Sequence, residues 1–197
     1  MSVSVINYDD RMTRWQPDAR GRLLKAAMEL YVERGFGQTT VAQIAERAGV
    51  TERTFFRYFA DKREVLFDGS MRLQQLMTDA VAGAPATATP LDAVGAALAA
   101  CGTVFVDLPR SRTRQQIIDS DPSLQERELI KRDHLATAVA GALRARGVAE
   151  PAASLAAQTG VGVFHVAFTT WLSPANTRDY ADIAAELLVD LRAVAGG

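Results

Sequence analysis

The sequence predicts an all-α fold, and three observations support that prediction. Alanine and leucine dominate a chain of 197 residues that is 48% hydrophobic, whereas runs of β-branched residues are scarce. Apolar residues recur at helical spacing along most of the chain. Capping residues and glycine or proline breaks divide it into segments of helical length. The hydrophobic content is ample for a buried core in one or two domains.

The first helix is predicted from about Ala19 to Arg34, after the turn-forming pair Pro17 and Asp18. It ends at Gly35, and Phe36 is expected to pack against its C-terminal end. The residues that recur at helical spacing and should face the core are Leu23, Ala26, Ala27, Leu30 and Tyr31.

Two short helices joined by a tight turn follow. Thr40 can cap a helix from Val41 to Ala48, and Thr51 can cap a second one from Glu52 to about Phe59. Gly49 lies between them, and glycine enters the left-handed conformation that a sharp change of direction needs. The pattern predicts a helix-turn-helix, in which the second helix can lie in the major groove of DNA.

The exposed face of the second short helix has side chains suited to DNA. Arg53 and Arg57 are four residues apart and share one face. Arginine can bind guanine bidentately, hydroxyl groups can bond phosphate, and an aromatic edge can pack on a thymine methyl or a sugar. Alternatively, the arginines form a solvated face and the aromatics a core. The residues predicted to contact DNA are Thr40, Thr51, Arg53, Thr54, Phe56, Arg57, Tyr58 and Lys62.

The segment from Gly35 to Lys62 resembles the DNA-binding domain of the TetR family of bacterial repressors. Two positions depart from the usual motif: Phe56 stands where tyrosine is common, and Ala42 stands where some relatives have a polar, base-reading side chain. The residues that match the motif are Gly35, Thr39, Thr40, Ile44, Ala45, Ala48, Gly49, Val50, Thr54, Phe56, Tyr58, Phe59 and Lys62.

The resemblance covers about a quarter of the chain, and it implies a fold and a domain organisation. The expected architecture is all-α, with an N-terminal three-helix helix-turn-helix DNA-binding domain and a larger C-terminal helical domain for ligand binding and dimerisation. We expect a flexible arm over residues 1–17, the DNA-binding domain over 18–62 and the C-terminal domain over 63–197. Arg11 and Arg14 in the arm could follow the DNA backbone.

A fourth helix is predicted from about Lys62 to Val81, long enough to join the two domains, with a cap at Asp61. Residues 82–90 are rich in small residues and prolines and predict a loop. A fifth helix should then run from Thr89 as its cap to about Asp107, and Pro109 should stop it.

The segment from Arg110 to Ser120 is basic at its start. Its arginines are expected to be solvated, although one of them could meet an anionic ligand or the N-terminal bundle. Three further helices are predicted from Ser123 to Arg146, from Pro151 to Leu172 and from Thr177 to Val194.

The helix from Pro151 to Leu172 is apolar almost all round, so every side of it must be covered. One face can pack on its own bundle, and the other requires a partner. We therefore expect a homodimer through the last two helices of each subunit, as the resemblance also implies. Gly160→Arg is expected to give monomers with little affinity for DNA.

The resemblance implies a small-molecule pocket between helices four to eight, with ligand binding that shifts helix four. The expected effector is small and hydrophobic or aromatic, because the candidate lining is mainly apolar. The candidate lining residues are Met77, Cys101, Phe105, His134, Phe164, Phe168 and Trp171. Each of them could instead belong to the core.

Two other classes of function compete with an effector-controlled regulator. The C-terminal bundle could serve only dimerisation or a protein partner, with no effector. An enzyme is disfavoured, because two histidines, one cysteine and no recognised catalytic motif offer no candidate catalytic residue. No cofactor and no metal site are expected.

The remaining features bear on the cellular setting. Cys101 is the only cysteine, so an internal disulfide is excluded and a reducing cytoplasm is favoured. No signal peptide and no membrane span are expected. The formal net charge of −1 means that any positive field at the DNA must be local.

Overall fold

The structure is a computed structural model that describes residues 18–196 of the chain. Over that range it consists of helices without a strand, which confirms the predicted all-α fold. The predicted N-terminal arm lies outside the described residues. In chain order the helices are α1 (Ala19–Arg34), α2 (Val41–Arg47), α3 (Glu52–Tyr58), α4 (Ser70–Gly83), α5 (Pro90–Cys101), α6 (Leu108–Asp119), α7 (Pro122–Ala145), α8 (Ala152–Leu172) and α9 (Tyr180–Gly196).

The first three helices begin at side-chain caps. The Asp18 carboxylate accepts from the Gly21 amide at the start of α1. Thr40 and Gln43 form a reciprocal capping box at the start of α2, and the Thr51 hydroxyl accepts from the Thr54 amide at the start of α3. The caps expected at Thr40 and Thr51 are therefore confirmed, because each satisfies an amide that the first helical turn leaves unpaired.

The turn between α2 and α3 is a Schellman motif. The Val50 amide donates to the Ala45 carbonyl at 2.9 Å, and the Gly49 amide donates to the Glu46 carbonyl at 3.0 Å. Gly49 has φ 66°, in the left-handed region. A side chain at this position would strain the backbone although there is open space around it.

Gly49→Ala should therefore lower the free energy of unfolding by about 1–2 kcal/mol, through backbone strain alone. Gly37→Ala is a matched control, because Gly37 also has open space around it but has no positive φ. Urea unfolding followed by circular dichroism measures both variants. An equal loss in the two would contradict a strained turn at Gly49.

The buried side chains form two clusters. The first joins α1, α2 and α3 around fully buried Leu23, Ile44 and Phe55. It also takes in Val65, Leu66 and Phe67 from the segment after α3, and Ile117, Ile118 and Leu124 from α6 and α7. The second cluster lies among α4, α5, α7, α8 and α9. The domain boundary after residue 62 stays a prediction, since the first cluster uses side chains from both sides of it.

Two predicted boundaries were wrong. The fourth helix begins at Ser70 and not at Lys62, and residues 62–69 form successive turns. Pro109 does not stop a helix: α5 already ends at Cys101, and Pro109 lies in the first turn of α6. Proline is tolerated there because the first amides of a helix have no partner within the helix.

Helix α8 is packed on one side and bare on the other. Gly160 faces α5, where an added Cβ would lie 2.3 Å from a methyl group of Val94. A Cβ added at Gly162 would meet no atom of the described residues within 4 Å, and Leu155 and Val166 are exposed. The substitution Gly160→Arg would therefore disrupt the subunit core, so it is the wrong test of a dimer.

None of the helices in the described part of the chain combines the length and the apolar character that crossing a bilayer requires.

Candidate nucleic-acid interface and ligand cavity

Helix α3 turns one face to the core and the other to solvent. Phe55 is fully buried, and Phe59 just after the helix is buried beside it, with ring centroids 5.5 Å apart. Arg53 and Arg57 lie on the exposed face. The buried aromatics fix the rotation of the helix, so the two arginines point away from the protein together.

The remaining side chains of this face are aromatic. Phe56 is 54% exposed and packs edge-on against Phe55, with centroids 5.4 Å apart. Tyr58 is also exposed, and the Arg57 guanidinium lies 4.9 Å from its ring centroid. Exposed aromatic rings beside arginines are enriched at interfaces, so this face has the character of a binding surface.

Both threonine caps are at the protein surface. Thr40 and Thr51 are exposed, and Thr54 is half-buried with its hydroxyl 3.1 Å from that of Thr51. The hydroxyl oxygens of Thr40 and Thr51 already accept from backbone amides. A hydroxyl hydrogen can still be donated to a phosphate oxygen, which is compatible with the predicted contacts.

Lys62 has an internal role that the sequence did not reveal. Its ammonium donates to the carbonyls of Phe36 at 2.8 Å and Thr39 at 2.7 Å, and it lies 4.4 Å from the Phe36 ring centroid. Loss of solvent around the ammonium lowers the pKa of Lys62 below its usual value. The phosphate contact predicted for Lys62 stays a prediction, and it would have to share the ammonium with these carbonyls.

Tyr31 and Thr39 add further hydrogen bonds around Lys62, and together these bonds form a joint between α1, the loop before α2 and the chain after α3. The Tyr31 hydroxyl donates to the Lys62 carbonyl at 2.6 Å, and burial raises the pKa of that hydroxyl. The buried Thr39 hydroxyl donates to the Gly35 carbonyl at 2.9 Å. Helix α1, the loop before α2 and the chain after α3 are thereby bonded together, and this arrangement holds the orientation of α3.

Lys62→Met should lower the free energy of unfolding by about 1–2 kcal/mol, because the Phe36 and Thr39 carbonyls lose a charged donor in a partly solvated site. Arg63→Met is the matched control: its partner is the exposed Asp61, so we expect a change below about 0.5 kcal/mol. Urea unfolding midpoints compare the two. If both variants lose the same stability, the joint at Lys62 has no special role.

A partly enclosed cavity of about 510 Å³ lies between the first cluster and the C-terminal helices. Leu24 and Met28 of α1 border it on one side, and Phe164 and Phe168 of α8 border it on the other. Phe105, in the segment between α5 and α6, packs against both α8 rings with centroid distances of 5.8 and 5.0 Å. These rings give the cavity an aromatic wall.

The structure brings together part of the predicted lining. Phe105, His134, Phe164 and Phe168 border the cavity. Met77, Cys101 and Trp171 do not border it, and are buried in the second cluster. Burial also raises the pKa of the Cys101 thiol to about 12, so this cysteine stays protonated and unreactive at neutral pH.

The lining is more polar than expected. Its charged members come from the turns after α3, from α4, and from α6 and α7. In the sequence, the basic start of α6 was the one indication of a charged lining. The charged residues that α7 contributes are recognisable only in the structure. The charged residues that line the cavity are Asp68, Arg72, Asp107, Arg110, Arg114, Glu128, Lys131 and Arg132, with His165 beside them.

The cavity is connected to the chain that follows α3. Arg114 of α6 borders the cavity, donates to the Leu66 carbonyl at 2.6 Å and lies over the Phe67 ring. Glu64 is bonded by Arg127 at 2.6 Å and by Lys131 at 2.9 Å, both from α7. Burial alone would raise the pKa of Glu64, but these two hydrogen bonds outweigh it and lower the pKa.

Part of the sequence is similar to known bacterial regulatory proteins. The family model described as "Bacterial regulatory proteins, tetR family" matches residues 23–68. The chain is 40% identical over 81 residues to the HTH-type transcriptional regulator TcmR of Streptomyces glaucescens, a match that covers 41% of this chain and 36% of TcmR. It is 32% identical over 120 residues to the transcriptional regulator MftR of Mycobacterium tuberculosis, covering 60% of each chain.

The fold has solved counterparts. The transcriptional regulator FadR from Bacillus subtilis, in complex with stearoyl-CoA, superposes with a TM-score of 0.60 and 20% identity over 87% of this chain and 96% of that one. The two sequence matches span about a third and three fifths of the relatives' own lengths. The matched proteins are transcriptional regulators and not enzymes, in agreement with the expectation from the sequence.

Proposed function

Because the chain carries the TetR-family DNA-binding domain within the all-helical fold of TetR-family regulators, we propose that it is a repressor controlled by a small molecule. It binds a palindromic operator as a dimer, and a small hydrophobic or aromatic effector releases it. The observation that carries the proposal is the exposed face of α3, where Arg53 and Arg57 project from a helix whose opposite face is locked in the core.

DNA contact follows from the chemistry of this face. Arg53 and Arg57 can read guanine in the major groove, and the Thr40 and Thr51 hydroxyls can bond phosphates at its edge. Phe56 can pack on a thymine methyl or a sugar. These roles, together with those of Thr54, Tyr58 and Lys62, are part of the proposal.

The dimer is proposed through α8 and α9. Leu155, Gly162 and Val166 form an exposed stripe of apolar or small residues on α8, and Val189 is exposed on the adjacent α9. Two copies of this surface related by a two-fold axis would cover one another. Two α3 helices would then face successive major grooves, about 34 Å apart.

The effector site is proposed at the cavity between the two clusters. A partly enclosed space with an aromatic wall has the size and character of small-molecule sites. The acyl-CoA complex of FadR supports such a role in this fold. The contacts of Arg114 and Glu64 offer a route by which a ligand displaces residues 64–66 and hence α3.

A coupling of about 1–3 kcal/mol between the effector and DNA would suffice, since it changes operator affinity by roughly 5–150-fold. The alternative is a C-terminal bundle that serves only dimerisation or a protein partner. A well-filled core without a cavity would favour that alternative, whereas the cavity beside Phe105 favours effector control.

Selection of bound sequences from random DNA tests the proposal. We expect an enriched inverted repeat with a fixed spacing between its half-sites, because two α3 helices related by a two-fold axis read it. Enrichment of no sequence, or of a single half-site without its repeat, would contradict a dimeric operator-binding protein.

A further inference from the structure

The charges that line the cavity are not balanced: five cations of the described chain stand against three carboxylates, and each carboxylate already has a hydrogen-bond or ion-pair partner. Asp68 pairs with Arg20 at 2.6 Å. Glu128 lies 3.6 Å from the Arg114 guanidinium and accepts from the Gln115 amide at 3.3 Å. The third carboxylate, Asp107, accepts from a backbone amide as the cap of α6. No carboxylate of the lining is left without a donor.

Several cations of the lining, in contrast, are unpaired among the described residues. Within residues 18–196, the side chains of Arg72, Arg110 and Arg132 have neither an ion pair nor a hydrogen bond, while Lys131 is held by Glu64 and Arg114 by Glu128. The cavity therefore presents positive charge that the protein itself does not neutralise.

Among these arginines, Arg132 gives the strongest indication of an anion-binding site. Its Nε atom is shielded from solvent and has no hydrogen-bond partner among the residues that the structure describes. A shielded donor without a partner is unusual in proteins, because burying it unpaired costs free energy. Burial, and after it the charge of Arg132, lower the pKa of His165 against a smaller opposing effect of Glu128, so the charge of Arg132 acts on the neighbouring α8. An anion beside Arg132 would satisfy its donor and neutralise this potential.

The opposite side of the same cavity is aromatic. Phe105, Phe164 and Phe168 form that wall, and their rings can cover an apolar group. One further polar atom, Gln115 Oε1, is shielded, has no donor within residues 18–196, and can accept from a hydroxyl or a water molecule. A ligand that fits both sides has an apolar body and one anionic end.

We propose that the cavity takes an apolar monocarboxylate, whose carboxylate is bound by Arg132 and whose body packs on the wall of Phe105, Phe164 and Phe168. The inference rests on the proposed function, since it names the chemical class of the effector. It differs from the expectation of a purely hydrophobic or aromatic compound. Arg72 and Arg110 lie on the same lining and add to the attraction for an anion.

Calorimetric titration with matched probes tests this inference. The probes are decanoate and 4-phenylbutyrate, each compared with its primary amide, which has nearly the same shape and no charge. We expect at least one carboxylate to bind at least about 30-fold more tightly than its amide, as for a partly buried charge pair. Equal binding of acid and amide, or no binding of either acid, would overturn the proposal.

Variants of α7 assign the effect to Arg132. Arg132→Gln should weaken carboxylate binding by about 30-fold and leave amide binding unchanged, and Arg132→Lys should retain most of the affinity. Arg144→Gln is the control, because it removes the same charge from the same helix where Arg144 pairs with exposed Glu150. Equal losses in Arg132→Gln and Arg144→Gln would overturn the assignment.

The outcome for DNA separates this inference from the proposed function. A protein that prefers carboxylates through Arg132 but selects no operator would refute the regulator and leave the ligand class standing. A protein that selects an operator and is released equally by acid and amide would refute the ligand class alone.

Discussion

Replacing Val166 with arginine is expected to convert the proposed dimer into a monomer and to reduce the proposed operator binding to the non-specific level, a loss of about 1000-fold or more. Val166 is 47% exposed on α8 and belongs to the same exposed stripe as Gly162, around which the described residues leave open space. A charged side chain there can remain solvated in the monomer. In the proposed dimer it would be buried without a partner at the two-fold interface, which is strongly unfavourable.

The subunit itself should tolerate the change, with its free energy of unfolding altered by less than about 0.5 kcal/mol once dimer dissociation is accounted for. Leu129→Arg is the matched control, because Leu129 is similarly exposed but lies on α7. Sedimentation velocity gives the mass, and fluorescence anisotropy gives the affinity for the selected duplex. A Val166→Arg protein that still sediments as a dimer would refute the α8–α9 interface.

The second large effect is expected on the reading face of α3. Arg53→Ala and Arg57→Ala should each weaken operator binding by about 1–3 kcal/mol, or roughly 5–150-fold, if each arginine bonds a base or a phosphate. Neither side chain is buried, so folding should be unaffected. Arg34→Ala, at the exposed end of α1 in the same domain, removes the same charge and serves as the control.

Salt titrations distinguish the kinds of contact. Loss of a base contact should reduce the preference for the operator over a scrambled duplex at constant salt. Loss of a phosphate contact should weaken both duplexes equally and reduce the salt slope by about one. If Arg53→Ala, Arg57→Ala and Arg34→Ala all bind the operator like the unmodified protein, α3 is not the reading helix.

The fold of residues 18–59 could be predicted from the sequence because local chemistry determines it. The caps at Thr40 and Thr51 and the left-handed Gly49 each depend on residues within four positions. The predicted bounds of α1 agree with the structure, and those of α2 and α3 differ from it by one residue.

The segment after α3 shows where local reasoning failed. Val65, Leu66 and Phe67 are consecutive and all buried in the first cluster. Successive residues of an α-helix point about 100° apart, so three in a row do not face one side. Successive turns bury all three, and helical spacing in the sequence did not reveal this tertiary requirement.

The candidate cavity could be predicted only in part for the same reason. Phe105, Phe164 and Phe168 were identifiable as large apolar residues of the C-terminal region. Met77, Cys101 and Trp171 have the same sequence character but lie in the packed core. The positions of Arg114 and Arg132 at the cavity depend on how α6 and α7 pack against distant segments, which no short pattern encodes.

Two copies of α3 are proposed to read one duplex. A stoichiometric titration of the selected duplex at modest salt without effector, followed by competition, measures this directly. We expect saturation at two chains per duplex, with displacement by the same unlabelled sequence and not by a scrambled one. Equal displacement by the scrambled duplex, or saturation at one chain, would rule out operator reading by a pair of α3 helices.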